Sequence, residues 1–99
     1  MTEAVRLPGF AVFGPSPSPS PASSILSFRL DEAAHVRIAV ADVSGRVVLV
    51  RELGRREPGE TSVRLTPRGT DGRELPAGIY FVRVDAGTLS ATRKWVIVQ

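Results

Sequence analysis

Ninety-nine residues, 42% of them apolar and 23% charged, suffice for one small globular domain around a single core and are too few for two. There is no cysteine, which excludes a disulfide framework and a thiolate metal site, so any fold must stand on packing alone. The net charge is +3, and the arginines scattered through the strands at Arg29, Arg37, Arg51, Arg64, Arg83 and Arg93 mostly alternate with apolar neighbours, as on a solvated strand face. No aromatic residues interleave with them, which argues against nucleic-acid binding.

Residues 1–13 read as an apolar arm or first strand, because Val5, Leu7, Phe10, Val12 and Phe13 are too apolar for a free tail. Met1-Thr2-Glu3 has neither the basic start nor the apolar stretch of a signal peptide. The Pro/Ser-rich segment 14–23 holds Gly-Pro-Ser-Pro-Ser-Pro-Ser-Pro, which favours an extended path and withholds backbone donors. It is expected as a linker or a stiff edge piece, never a central strand.

From residue 24 the chain reads as strands. Leu26, Phe28 and Leu30 alternate with Ser27 and Arg29, the period-two pattern of a half-buried strand. Val36, Ile38 and Val40 repeat the pattern after the Asp31-Glu32-Ala33-Ala34 turn. Asp42-Val43-Ser44-Gly45-Arg46 follows as a hairpin loop with a left-handed glycine, and Val47 to Leu53 is its expected partner. Pro58-Gly59 marks a turn before Thr61 to Leu65. Asp71-Gly72 and Pro76-Ala77-Gly78 then lead into Ile79 to Ala86, which pairs with Leu89 to Val98 around Asp85-Ala86-Gly87-Thr88. These last two strands carry apolar residues on both faces, as doubly covered strands do. No helical period appears. The expected fold is all-β, an immunoglobulin-like antiparallel sandwich of about seven strands over residues 24–99, with 1–23 packed on it as part of one domain.

Reactive chemistry is sparse. His35 is the sole histidine and lacks a local nucleophile or orienting acid, and no serine stands in a nucleophile elbow, so the chain reads as no enzyme. Asp31, Glu32, Asp42, Asp71 and Asp85 could meet around calcium, yet Asp in turns serves its own backbone. No metal or cofactor is therefore expected. Tyr80 reads as a buried ring returning its hydroxyl to nearby backbone, and Trp95 as the largest core anchor ahead of an exposed contact residue.

Four stretches carry a family resemblance: Ser27 to Leu30, Ala34 to Val48, Pro76 to Val84 and Ala91 to Val98. With their Asp-Val-x-Gly-Arg hairpin, Pro-x-Gly-x-Tyr turn and Lys-containing closing strand, they resemble the type IX secretion C-terminal sorting domain and its relative, the immunoglobulin-like domain of the flagellar hook-capping protein. Residues 10–99 are covered. The chain departs from the family at Pro17-Ser18-Pro19, where an Asn is common, at Ala41, where a Tyr is usual, and over Leu65 to Gly72, where Trp-Asp-Gly often stands.

The resemblance implies a non-catalytic sorting and attachment module of a larger secreted or cell-surface bacterial protein, recognised by secretion or attachment machinery. It implies protein partners, without nucleic acid or small-molecule substrate. The recognised edge would comprise Pro76, Gly78 and Tyr80 with the closing strand Thr92 to Gln99, in which Arg93 and Lys94 stand out. A rival reading is a structural subunit that assembles head to tail, its arm Val5 to Phe13 adding a strand to the next molecule, or else a generic adhesion module.

Overall fold

The computed structural model describes residues 4–20 and 22–98. Met1–Glu3, Pro21 and Gln99, which the expectations above include, lie outside the described residues. Eight strands follow one another: β1 (Ala4–Leu7), β2 (Phe10–Ser16), β3 (Ser24–Leu30), β4 (Ala34–Asp42), β5 (Val47–Arg56), β6 (Gly59–Leu65), β7 (Gly78–Ala86) and β8 (Leu89–Ile97). They form two antiparallel sheets of four strands, ordered β1-β2-β3-β6 and β5-β4-β7-β8. No described segment is helical.

Period-two alternation explains how the sheets face each other. Phe10, Val12, Leu26, Phe28, Leu30, Val63 and Leu65 line the first sheet's inner face. Val36, Ile38, Val40, Leu49, Tyr80, Val82, Val84, Trp95 and Ile97 line the second. The arm forms a hairpin at Pro8-Gly9, with Val5 opposite Val12 and Leu7 opposite Phe10, and β2 pairs onward with β3. That gives one strand more than seven. Pro8-Gly9 is itself a turn dipeptide, so the break could have been read from the sequence.

The proline segment is less simple than a linker. β2, flanked by β1 and β3, runs through Pro15 to Ser16, contrary to the expectation that this segment stays out of such a strand. The fold accommodates this with a register shift between Phe13 and Ser16, where a missing donor breaks no ladder. At Gly14 the backbone has φ +88°, and a Cβ there would sit 2.7 Å from the Ile25 carbonyl oxygen, so glycine is required twice over. Beyond it, Ser20 N–H donates to Val96 O at 2.7 Å and Val98 N–H to Ser20 O at 3.0 Å, laying the tract along the edge of β8.

Phe28 is fully buried, whereas Ile25, on the outer side of the same strand, is 42% exposed. Phe28→Ala is expected to cost about 3 to 5 kcal/mol. Ile25→Ala should stay within about 0.5 kcal/mol. Urea denaturation followed by circular dichroism measures both, and near-equal losses would contradict the orientation of β3.

Candidate functional site

Tyr80 organises the turn into β7. It points inward from β7, buried, with its ring 6.4 Å from that of Trp95 at an interplanar angle of 56°. Its hydroxyl donates to the Pro76 carbonyl at 2.6 Å, closing Pro76-Ala77-Gly78-Ile79 against the strand it leads into. Burial first, and the negative charge of Asp42 second, raise this phenol above its ordinary value, so it stays protonated and keeps donating. Gly78, within the clamped turn, has φ +156°, and nothing lies within 4 Å of a Cβ built there. Glycine is therefore favoured here by the backbone angle, since no neighbour approaches closely enough to exclude a side chain.

The loop before the turn is ordered by its own polar groups. Leu75 is buried and its N–H donates to Pro67 O at 2.9 Å, while Gly69 N–H reaches Arg73 O at 2.9 Å. Beside it, Asp42 Oδ1 accepts from Ser44 Oγ at 2.6 Å, Ser44 N–H at 2.9 Å and Arg46 N–H at 3.0 Å. This holds the hairpin around Gly45, at φ +87° as expected. Between hairpin and loop lies a groove of about 520 Å³, with Tyr80 and Leu75 among its lining residues. The Asp42 carboxylate in it is already engaged by its own turn. Among the described residues no three His, Cys, Asp or Glu side chains are grouped so as to hold a metal ion.

The five residues expected at a recognised edge occupy three environments. Pro76 and Gly78 are exposed on the turn and Tyr80 is buried beneath it. Arg93 and Lys94 are neighbours on β8 but face opposite ways: Arg93 Nε donates to Gly14 O at 2.6 Å, and Lys94 is exposed across from Phe81. The sequence reading missed the surface around Lys94. Ile79 and Phe81 are 44% and 40% exposed, with Ile79 paired to Val96, so the outer faces of β7 and β8 are open and not doubly covered. The signal was present in Arg83, Asp85, Thr92 and Lys94, which share that face.

Residues 18–98 match the family described as the secretion system C-terminal sorting domain. The chain belongs to that family. Sorting domains of type IX secretion mark proteins that are secreted and attached to the cell surface, as part of a larger protein, and the family is in general non-enzymatic. Among solved structures, the chain is similar to FlgD from P. aeruginosa, at 19% identity and a TM-score of 0.61, over 80% of this chain and 70% of that one. It is also similar to PorZ, an essential bacterial surface component of the type IX secretion system of Porphyromonas gingivalis, at 22% identity and a TM-score of 0.56. That match covers 93% of this chain and 12% of PorZ. At such identities the likeness shows the fold. No curated protein matches the chain.

Two outcomes test the sorting domain's turns. Asp42 is held below the ordinary aspartate value of 3.8, mainly by the Ser44 hydroxyl. Desolvation opposes this, and the Arg46 and Ser44 amides and the Arg46 charge add to it. Because the folded value is the lower one, the stabilisation is fully present above the unfolded value and is lost as pH falls through the folded one. Ser44→Ala should move the Asp42 midpoint upward in a carboxyl NMR titration, and an unmoved midpoint would show the hydroxyl is not the main cause. Gly78→Val should lower stability by about 1 to 3 kcal/mol through its backbone angle alone, whereas an unchanged melting curve would show that valine adopts that angle freely.

Proposed function

We propose that this sorting domain is a non-catalytic address, recognised by secretion machinery through the outer face of β7 and β8. The observation that carries the reading is the exposure of Ile79 and Phe81 on the face that also holds Val96 and Lys94. Exposed aromatic and aliphatic side chains bordered by the charges of Lys94, Arg83 and Asp85 suit a protein contact, since none of them offers a reacting group. The Pro76–Tyr80 turn flanks this face. Tyr80 and Arg93 shape it from beneath, because their polar groups are spent on the Pro76 and Gly14 carbonyls.

The disposition of the arm supports a monomer over head-to-tail assembly. β1 and β2 pair in order onto β3 of the same chain, and Phe10 and Val12 are buried in the chain's own core. An arm so engaged would have to leave its own domain before joining another.

The test is passenger localisation in a host with type IX secretion. A folded passenger fused ahead of this chain should reach the surface, and Lys94→Glu or Phe81→Ser should retain it inside while melting stays that of the parent. Normal surface display with both substitutions would show that another face is read.

A further inference from the structure

The four outer edges of the two sheets are protected unequally. The edge of β8 is closed by the proline tract through Ser18 and Ser20. That of β5 is covered in part by Thr70, whose N–H donates to Val48 O at 3.0 Å and whose Oγ1 accepts from Val50 N–H at 3.0 Å. β1 has four residues and is followed at once by Pro8. β6 has seven residues, no proline, no lysine and an unshifted register, and it pairs with β3 alone.

The direction of its free backbone groups follows from one contact. Arg51 Nη1, reaching over from the other sheet, donates to Arg64 O at 3.2 Å, so the Arg64 backbone faces away from β3. In an unbroken strand, residues two apart point their N–H and C=O the same way. Glu60 and Ser62 therefore present their backbone groups along that same open edge.

Guanidinium groups without a carboxylate partner line the gap between β6 and β5. Arg51 and Arg56 stand in register with Ile38 and Ala34, four positions apart on β4, because the register shift leaves Leu53 as an extra residue. Arg51, Arg56 and Arg64 are in no ion pair among the described residues. Arg56 Nε is buried and has no hydrogen-bond partner, an uncommon cost for a charged donor. Glu60 does not answer them, since it lies in register with Arg29 on the outer face of the first sheet.

From the open edge and the guanidinium charges that no carboxylate offsets, we infer that β6 docks an extended acidic segment of a protein partner, which adds to the β1-β2-β3-β6 sheet as a further strand. Main-chain bonds to Glu60 and Ser62 supply the binding, as in other strand additions, while the Arg64 carbonyl already accepts from Arg51. Acidic residues four apart in that segment lie on one face of an extended chain and face Arg51 and Arg56 together. A second copy of this chain suits the edge poorly, because β6 against β6 brings the arginines of both copies together. The inference is independent of the sorting reading, which concerns the outer face of the other sheet.

The probe is an end-blocked peptide of about ten residues alternating threonine and valine, with glutamates four positions apart on one face and a lysine counterpart as control. Added to the full chain, the glutamate peptide should protect the Glu60 and Ser62 amides from hydrogen exchange, and the lysine peptide should not. Ser62→Pro removes an edge donor that β3 does not use, and should weaken binding at least about tenfold. Arg51→Glu with Arg56→Glu should reverse the preference toward the lysine peptide, and carries the test should the proline variant melt early. Failure of the glutamate peptide to bind, equal binding of both peptides, protection at Ala4–Leu7 instead, or a dimer in light scattering joined through the β6 amides would each overturn the proposal.

Discussion

A two-step hydrogen-bond relay ties the closing strand to the proline tract through the core. Trp95 is fully buried, and its indole N–H has to find an acceptor or bear the cost of desolvation. It donates to Ser24 Oγ at 3.0 Å, and that hydroxyl donates in turn to Pro17 O at 2.6 Å. Ser24 opens β3 of one sheet and Trp95 lies on β8 of the other, so the relay fixes how the sheets are set against each other. The proline tract takes part through carbonyls, which proline keeps, while the N–H groups it lacks are those a central strand would need. Arg93, reaching Gly14 O, repeats the arrangement nearby.

Side-chain alternation made most of the core readable. Leu26, Phe28 and Leu30, then Val36, Ile38 and Val40, are buried as their spacing requires, and Trp95 is buried beside Tyr80. What the sequence hid depends on partners far along the chain. Nothing local to Ser18 or Ser20 says that they meet Val96 and Val98, and nothing near Gly14 announces the Ile25 carbonyl. The outer face of β7 was misjudged for a different reason. Ile79 and Phe81 look like core residues by type, and only their sharing a face with Arg83 and Asp85 marks them as exposed.

The candidate site has little reactive chemistry and much shape. The Pro76–Tyr80 turn uses a proline, a glycine angle and a phenol hydroxyl to fix the path of the backbone into β7. The ion pairs near the open face, Arg37 with Glu52 and Arg83 with Asp85, are solvated and contribute little to stability. They keep that part of the sheet polar, so the apolar area at Ile79 and Phe81 is bounded, as expected of a contact region rather than of a surface prone to stick everywhere.

The placement of Trp95 also has a consequence in time. A ribosome makes β8 after every other strand of this domain, yet the largest core side chain is on it, and the proline tract has its hydrogen-bonding edge there. Until that segment emerges, the nascent sandwich has no indole at its centre, and the edge of β7 that will receive it stands open. Completion of the fold therefore reports completion of the strand, and a product stopped short of Trp95 differs from a finished one in a way that chaperones and proteases can detect without reading its sequence.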